Sequence, residues 1–300
     1  MPQIAVIGGG LMGTGIAEVF AAAGHSVKLF EPAKQVRATV RQRVTDSLRT
    51  NGNDPDAVQL LELTTELATS VSHAVYVTEA APEKLELKRS IFAQLAAHSP
   101  RDAILASNSS VIPISRIAEG LATADRMVGT HWWNPAPLIP LVEVIQGART
   151  SDATIAFTMN LLLSVGKRPA HIRKDIAGFV ANRLQHALWR EAIAMVAEGV
   201  CDAATLDECV KNSFGLRLPV LGPLENADLV GLDLTLDIHR TIIPELDRHA
   251  GPHAYLEAQV AAGHLGFRSG VGFRTWTAEE MAEVRARLTR HLLAAQRQRS

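Results

Sequence analysis

The sequence predicts an α/β fold in which a doubly wound parallel sheet fills the first part of the chain and an all-helical domain follows it. Short β-rich runs alternate with helical stretches up to about Arg173, which is typical of a parallel sheet with crossover helices. A glycine-rich turn joins the first strand to the first helix. After about Asp175 the strand patterns end, and apolar residues recur at helical spacing.

The sheet domain is predicted from the order of its elements. Strands are predicted at Gln3–Gly8, Ser26–Glu31, Ala74–Glu79, Ala103–Ala106, Met127–Thr130 and Leu141–Ile145, with an edge strand at Pro169–Arg173. Helices are predicted at Leu11–Ala23, Pro82–His98 and Ser151–Val165. The stretch Ala33–Leu67 has a charged helical pattern, interrupted by the turn-forming segment Asn51–Pro55.

The second domain is predicted to contain helices alone. They fall at Phe179–Glu198, Ala203–Lys211, Leu229–Leu246, His253–Ala262 and Ala278–Gln298. We place the boundary at Asp175–Ile176, which divides the chain into a nucleotide-binding domain (1–175) and a helical substrate-binding and dimerisation domain (176–300).

Composition narrows the classes of function. Of the 300 residues, 47% are hydrophobic and 20% are charged, which is enough apolar material for a core and argues against a disordered chain. The net charge of −1 argues against a general nucleic-acid or membrane-surface binder. Cys201 and Cys209 lack metal-binding spacing, so we expect no metal site. With no long apolar run and a first strand near Gln3, we expect a soluble cytoplasmic protein without a targeting peptide.

The glycine-rich turn indicates a dinucleotide site. Gly8, Gly10 and Gly13 fall at the three glycine positions of Gly-x-Gly-x-x-Gly, and Leu11–Met12 open the helix whose free N–H groups would face a pyrophosphate. Glu31 ends the next strand, near the ~20-residue spacing at which a carboxylate accepts hydrogen bonds from the ribose 2′-hydroxyl and repels a 2′-phosphate. The alternative for Glu31 is a solvated strand end. The pattern predicts a Rossmann-type domain that binds NAD rather than NADP.

Polar residues at two further strand ends indicate chemistry in the same domain. Ser107–Ser110 and His131 each follow a predicted strand, where the ligand crevice of a doubly wound sheet lies. Glu143 lies in an apolar run, a costly place for a carboxylate unless it is paired. A chain that turns through Asn134–Pro137 and returns would bring Glu143 against His131. Such a pair suits a general acid/base, and a buried core histidine is the alternative.

Over nearly its whole length the chain resembles the short-chain 3-hydroxyacyl-CoA dehydrogenase family. The resemblance is carried by IGGGLMGTGIAEVF (7–20), EAAPEKLELKRSIFAQL (79–95), ASNSSVIPIS (106–115), GTHWWNPAPLIPLVEVI (129–145) and DIAGFVANRLQ (175–185). It implies that His131 exchanges the hydroxyl proton while hydride passes to NAD, and that Glu143 orients the imidazole. It further implies that Ser110 and Asn182 bind the substrate oxygen.

The resemblance also implies cofactor contacts and an assembly. Glu79 and Asn108 match positions near the nicotinamide, and Lys84 falls in the family's cofactor region. A strand end for Glu79 and a solvated helix face for Lys84 are the alternatives, and for Asn182 the alternative is a polar residue at a helix start. Because the family's helical domain forms the dimer interface, we expect a homodimer.

Two departures from the family leave the substrate open. The segment between Glu31 and Glu79 is shorter than the basic hairpin that holds CoA in the family, although it contains four arginines: Arg37, Arg41, Arg43 and Arg49. Trp132–Trp133 replaces a Phe-Phe pair and would either wall a compact pocket or pack the domain junction. Other segments resemble the branch that contains λ-crystallin/L-gulonate dehydrogenase and pyridine-alcohol dehydrogenases.

Three functions remain open at this point. The first is oxidation of a 3-hydroxyacyl-CoA or related β-hydroxy acid, as in fatty-acid metabolism. The second is oxidation of a small hydroxy acid or alcohol without CoA. The third is a non-catalytic, crystallin-like structural or sensing role.

Overall fold

The sheet has the doubly wound order that the sequence predicts. A computed structural model describes residues 1–298, and these form an eight-stranded sheet in the order β3-β2-β1-β4-β5-β6-β7-β8. The strands are β1 Ile4–Ile7, β2 Val27–Phe30, β3 Leu61–Thr64, β4 Tyr76–Glu79, β5 Ile104–Ser107, β6 Met127–Trp132, β7 Leu141–Ile145 and β8 Arg168–Ile172. From β1 the chain adds strands outward to β3 on one side, and then crosses over to add β4, β5 and β6 on the other side. The ligand crevice of such a sheet lies at this crossover, beyond the carboxyl ends of β1 and β4. This confirms the predicted fold class.

Helices cover both faces of the sheet and form most of the described chain after β8. Those between strands are α1 Leu11–Ala22, α2 Lys34–Thr50, α3 Leu67–Val71, α4 Leu85–His98, α5 Ile114–Ile117 and α6 Asp152–Ser164. After β8 come α7 Ala181–Ala197, α8 Ala203–Lys211, α9 Pro223–Val230, α10 Leu232–Ile242, α11 Ala254–Ala261 and α12 Ala278–Arg297. Most helix ends lie within three residues of the predicted ones.

Two strands differ from the prediction. The predicted charged helical stretch contains β3, because Leu61–Thr64 pairs in parallel with β2 after a 3₁₀ turn. The predicted sheet is parallel, and β7 departs from this by running antiparallel to β6, as the predicted return of the chain through Asn134–Pro137 requires. The chain between them, Trp133–Pro140, is too short for the crossover of a dozen or more residues that a parallel neighbour requires.

The core of the sheet domain lies in two layers, one on each face of the sheet. Phe20, Tyr76 and Trp132 pack on one face, and Phe92 and Leu95 of α4 pack on the other. β1, β4 and β5 are buried along their whole length, as expected for central strands covered on both faces. Each fully buried large apolar side chain contributes roughly 1.5–3 kcal/mol, so the strand ends that carry the polar residues rest on a rigid base.

The chain divides into two compact units. Of the described residues, the first contains 1–182 and 291–298, and the second contains 183–290. The change falls a few residues after the predicted boundary at Asp175–Ile176. The single helix predicted at Leu229–Leu246 is divided into α9, α10 and a 3₁₀ turn, because Gly231 adopts a φ of 104° that ends one helix and begins the next.

The second unit buries few of its apolar side chains. Among residues 183–290, Ala194 is the one hydrophobic residue that is buried. Leu224, Leu229 and Leu232 are 79%, 72% and 63% exposed. Among the described residues, no helix has the length and apolar character to cross a bilayer.

Candidate active site

The glycine-rich turn between β1 and α1 is closely packed at Gly8 and Gly13 and open at Gly10. A Cβ on Gly13 would lie 1.9 Å from the carbonyl oxygen of Gly8, and one on Gly8 would lie 2.8 Å from that of Ala80. A Cβ on Gly10 would meet nothing within 4 Å. Leu11 and Met12 form the first turn of α1, where backbone N–H groups lack partners within the helix. The turn is therefore an open cradle whose free donors suit a pyrophosphate.

Glu31 lies beside this cradle, at the end of β2. Its Oε2 accepts a hydrogen bond of 2.8 Å from the N–H of Gly9, and its Oε1 accepts one of 2.8 Å from the N–H of Ala33. The residue is 9% exposed. A solvated strand end does not describe this carboxylate, which is fixed where an adenosine ribose is bound in dinucleotide folds.

His131 and Glu143 face each other across β6 and β7. They are direct partners in the antiparallel register, and the Nδ1–H of His131 donates to Oε2 of Glu143 at 2.8 Å. Both side chains are almost completely buried. Among residues 1–298, the Nε2 atom makes no hydrogen bond. With Nδ1 protonated, Nε2 is the nitrogen that can accept a proton.

The second oxygen of Glu143 is held by the start of α7. Oε1 accepts hydrogen bonds from the N–H groups of Val180 and Ala181, at 2.9 and 3.1 Å. Burial alone would raise the pKa of the Glu143 carboxyl. The hydrogen bonds from His131 and the two backbone N–H groups outweigh burial and hold that pKa below its ordinary value. Glu143 is therefore a carboxylate that stays charged beside the imidazole.

A left-handed turn aims those two N–H groups. Gly178 and Phe179 have φ values of 75° and 49°. Phe179 is the one non-glycine residue with positive φ in the described chain, and its ring is buried 5.5 Å from the ring of His131. A buried ring against the imidazole offsets the cost of this backbone conformation, which is of order 1–3 kcal/mol.

Three polar residues of the predicted site lie on neighbouring segments. Asn108 follows β5, and its Oδ1 accepts a hydrogen bond of 3.0 Å from the N–H of Trp132, next to His131. Asn182, directly after the N–H groups that hold Glu143, donates through Nδ2 to the carbonyl oxygen of Ser110 at 3.4 Å. The start of α7 therefore touches both parts of the predicted site: Val180 and Ala181 hold Glu143, which pairs with His131, and Asn182 contacts the backbone of Ser110.

The two other predicted cofactor residues lie elsewhere. Glu79 is completely buried at the end of β4, and its carboxylate accepts hydrogen bonds from Lys88, the Ser107 hydroxyl and the Ala81 N–H. Lys84 is exposed at the start of α4. Neither side chain contacts the glycine cradle, and a cofactor role for them stays a prediction.

The sequence analysis missed two residues beside this site, Lys88 and Glu83. The Lys88 ammonium is fully buried and lies within 3.4 Å of Oε2 of Glu83. Oε1 of Glu83 accepts hydrogen bonds from the Ser109 hydroxyl and from three consecutive N–H groups, those of Ser110, Val111 and Ile112.

The carboxyl of Glu83 remains charged in this setting. Burial would raise its pKa, but the Ser109 hydroxyl, the backbone N–H groups and the Lys88 charge together lower it. The sequence did contain a pattern that indicates the burial of Lys88. A lysine three, four and seven residues before Ile91, Phe92 and Leu95 lies on the buried face of α4 and needs a buried anion.

The segment that returns the chain from β6 to β7 is held by a lysine. Lys167 is buried, and its ammonium donates to the carbonyl oxygens of Ala136, Pro137 and Ile139, the last two at 3.2 and 3.1 Å. Burial lowers the pKa of Lys167 to about 8.

The two tryptophans that open this segment have different surroundings. Trp132 packs against Phe20 in the core, with ring centroids 6.0 Å apart, and the ring of Trp133 lies 5.3 Å from that of His131.

Among the described residues, no group of three or more His, Cys, Asp or Glu side chains could hold a metal.

The fold and this arrangement define a dinucleotide-dependent dehydrogenase, and comparison with known proteins identifies its family. The profile for the NAD binding domain of 3-hydroxyacyl-CoA dehydrogenase matches residues 3–176, and the profile for the C-terminal domain of 3-hydroxyacyl-CoA dehydrogenase matches residues 178–276. The chain belongs to the 3-hydroxyacyl-CoA dehydrogenase family. It is an NAD-dependent enzyme that acts on CH–OH groups, which confirms the predicted cofactor and reaction class.

The relatives act on different substrates. The chain is 33% identical to 5-formyl-3-hydroxy-2-methylpyridine 4-carboxylate 5-dehydrogenase of Mesorhizobium japonicum, over 98% of this chain and 97% of that protein. It is 37% identical to 3-hydroxybutyryl-CoA dehydrogenase of Mycobacterium tuberculosis, over 91% and 98%. A crystal structure of a 5-formyl-3-hydroxy-2-methylpyridine 4-carboxylic acid 5-dehydrogenase, described as an NAD⁺-dependent dismutase, matches with a TM-score of 0.92 at 31% identity, over 99% and 98% of the two chains.

Proposed function

We propose that His131 is the general acid/base of this dehydrogenase and that Glu143 orients it. The observation that carries the proposal is the pair itself, with Nδ1–H donating to a carboxylate whose other oxygen is held by two backbone N–H groups. This arrangement fixes the tautomer that leaves Nε2 free to accept a proton. It also lowers the cost of the imidazolium that forms, because Glu143 stays charged.

The proposed reaction separates a proton from a hydride. The glycine cradle would hold NAD, which would supply the hydride acceptor for the carbon that bears the hydroxyl. His131 takes the hydroxyl proton at Nε2, so that a ketone or aldehyde remains, and returns the proton in the reverse direction. Ser110 and Asn182 would hold the substrate oxygen through hydrogen bonds, which stabilise the charge that develops there. Glu31 and the N–H groups of α1 would hold the cofactor.

A double-mutant cycle tests the pair. His131→Ala should lower kcat by about 10²–10⁴-fold, the usual contribution of a general acid/base, while NADH binding measured by fluorescence titration changes little. Glu143→Gln should lower kcat as well. Because the two residues act as one unit, the double variant should be scarcely slower than His131→Ala alone. Losses that multiply in the double variant would show that they act independently.

For the substrate, we propose a small hydroxylated or formyl-bearing compound without CoA. Three arginines of α2 that could bind CoA phosphates are engaged within the protein. Arg37, Arg41 and Arg43 donate to backbone carbonyl oxygens of the same unit. The similarity to the pyridine-carboxylate dehydrogenase extends over nearly the whole of both chains. Trp133 beside His131 offers an aromatic surface suited to a flat ring.

A second candidate is a 3-hydroxyacyl-CoA, which the identity to 3-hydroxybutyryl-CoA dehydrogenase favours. Comparing kcat/KM for 3-hydroxybutyryl-CoA with that for free hydroxy acids and hydroxymethyl- or formyl-pyridine carboxylates decides between them. We expect turnover of a carrier-free compound to exceed that of the thioester. An enzyme that uses CoA for positioning would lose most of its efficiency without it, so exclusive turnover of the thioester would reject the carrier-free substrate.

We further propose that the protein is a homodimer joined through residues 183–290. A helical unit with one buried hydrophobic residue cannot account for its own stability from internal burial. A second copy offers the same exposed leucines and can cover them symmetrically. Cytoplasmic location, a role in fatty-acid metabolism and the absence of nucleic-acid and membrane partners stay predictions.

A further inference from the structure

The segment Trp133–Pro140, which joins β6 to β7, packs directly on α1, the helix that begins at the glycine cradle. A Cβ placed on Gly15 would lie 3.2 Å from the Cβ of Ala136 and 3.2 Å from the Cδ of Pro137. Ala136 is 3% exposed, so the contact is closed to solvent. A side chain on Gly15 would therefore push the segment away from the helix.

This contact lies close to both halves of the proposed chemistry. Gly15 follows Gly10 by five residues, which is about 7.5 Å along the helix axis. Ala136 follows His131 by five residues, and the strand of His131 lies three places from β1 in the sheet. Neighbouring strands are about 4.8 Å apart, so the sheet alone separates β1 from β6 by about 14 Å. The segment thus provides a second and direct connection between the cradle helix and the histidine.

Lys167, directly before β8, fixes the shape of the segment. Its ammonium donates to three carbonyl oxygens of the segment, those of Ala136, Pro137 and Ile139. The same ammonium lies 5.6 Å from the centre of the Trp132 ring, a distance typical of a cation–π contact. The Trp132 ring in turn packs against Phe20 of α1. One buried cation therefore holds the segment where it contacts the cradle helix.

Fold stability alone explains this lysine poorly. Burial lowers the pKa of Lys167 to about 8, which means that its position destabilises the charged form. The charge of Glu18, a buried carboxylate on α1, offsets part of this cost. The carbonyl groups of a partly exposed segment can be satisfied by water, so they do not require a cation. Costly features of this kind are typical of functional sites.

We propose that Lys167 and Gly15 are positioning residues of this dehydrogenase, which set the distance between a cofactor held at the cradle and Nε2 of His131. The inference rests on the acid/base role proposed above for His131. Gly15 lets the segment approach α1, and Lys167 holds it there, so both act through the segment rather than on the reacting atoms. Hydride transfer is sensitive to such placement, because a displacement of about 1 Å costs roughly a hundredfold in rate.

A single-turnover experiment on Lys167→Met tests the proposal. Enzyme-bound NADH is mixed with excess acetoacetyl-CoA or a formylpyridine carboxylate, whichever the native enzyme reduces faster, and the loss of NADH absorbance is followed. The rate constant should fall by about 10–100-fold, since the segment loses its anchor. The amplitude and the Kd for NADH should stay within about twofold of the native values. A loss of folded protein alone would lower the amplitude and leave the rate constant unchanged.

Two further variants and two controls sharpen the test. Lys167→Arg keeps a cation with N–H donors and should recover most of the lost rate constant. Gly15→Ala adds only the Cβ that meets Ala136 and should lower the rate constant by about three- to tenfold, as expected for a displacement of a few tenths of an ångström. Lys174→Met removes an exposed lysine, and Gly251→Ala adds a Cβ that would meet nothing within 4 Å. Neither control should change the rate constant by more than about twofold.

Several results would overturn the proposal. One is a folded Lys167→Met protein, shown by a thermal unfolding transition, with the native rate constant. Another is a loss of amplitude at an unchanged rate constant, which would mean that Lys167 only stabilises the fold. Should Lys167→Met fail to fold, an unchanged rate constant in Gly15→Ala rejects the proposal.

The His131→Ala variant separates this inference from the proposed function. A native rate constant in that variant would reject the acid/base role and the inference that rests on it. A slow His131→Ala beside a native rate constant in Lys167→Met would reject the positioning role alone.

Discussion

Residues 1–182 and residues 183–290 carry similar apolar side chains but bury them to different extents. In the first unit, helices cover both faces of the sheet, and every residue of the strands β1, β4 and β5 is buried. In the second, Ala194 is the one buried hydrophobic residue, and leucines of α9 and α10 are largely exposed.

This difference in burial indicates that the two units have different roles. The residues that we assign to chemistry, from the glycine cradle to Asn182, all rest on the unit that has its own core. Such a site needs side chains held within a fraction of an ångström, and a packed core supplies that rigidity. The second unit presents apolar faces whose burial requires another surface, which we assign to a second copy.

Core substitutions should show the largest contrast between the units. Phe92→Ala removes a completely buried ring from the first unit and should lower the free energy of unfolding by about 3–5 kcal/mol. Leu229→Ala, at a position that is 72% exposed, should cost less than about 1 kcal/mol when measured below the dissociation constant of the proposed dimer. Urea denaturation at low protein concentration measures both. Equal costs would mean that the second unit has a core of its own.

Charges on α10 should separate assembly from cofactor binding. Leu232→Glu together with Leu236→Glu should weaken self-association by at least a hundredfold, since each buries a carboxylate in an apolar contact. Sedimentation velocity over a range of concentrations measures the shift, and NADH titration should be unchanged. Asp237→Asn on the same helix is the control, because its exposed carboxylate pairs with Arg240 within the chain. Unaltered association in the leucine variant would place the interface elsewhere.

The smallest of the three predicted effects is the loss of stability of the first unit in acid. The pKa of Glu143 is lowered in the folded protein, so the folded state binds fewer protons than the unfolded state just below pH 4.5. The stability that it contributes is therefore present above that pH and is lost as the pH falls through the folded pKa. Glu143→Gln should flatten the pH dependence of the unfolding free energy in this range.

The control for the acid experiment lies in the second unit. Asp202 also has a lowered pKa, because it accepts hydrogen bonds from Thr205 at the start of α8, but its carboxylate is fully exposed. Asp202→Asn keeps the helix cap and should flatten the slope less than Glu143→Gln does, because solvent screens the interactions of the exposed carboxylate. A larger change from Asp202→Asn than from Glu143→Gln would reverse the comparison between the units.

The parts of the structure that follow from local pattern were predictable. Gly8 and Gly13 are required by steric contact, whereas Gly10 leaves the cradle open, and the sequence shows all three at the right spacing. Glu143 could be matched with His131 because a carboxylate in an apolar run needs a partner. The sequence alone did not show which hydrogen bonds would hold its second oxygen, since the turn at Gly178 and Phe179 depends on tertiary packing.

Other features of the structure depend on contacts between residues far apart in the sequence, which a local pattern does not show. The strand β3 has one buried residue, Leu61, followed by Glu62, so its charge resembles the helix before it. The direction of β7 depends on the length of the segment after Trp132 rather than on its own residues. The role of Glu83 was hidden because it is a surface-type residue whose partners, the N–H groups of Ser110 and its neighbours, lie on another loop.

The ammonium of Lys167 gives the segment between β6 and β7 the construction of an ion-binding loop. Three carbonyl oxygens, those of Ala136, Pro137 and Ile139, converge on one positive charge as they would around a bound potassium or sodium ion. Here the cation is attached to the chain and cannot diffuse away or be exchanged by the buffer. The loop that returns Glu143 to His131 therefore needs no ion from the buffer at its centre, but it becomes sensitive to alkali, because above a pH of about 8 its tethered cation loses its charge.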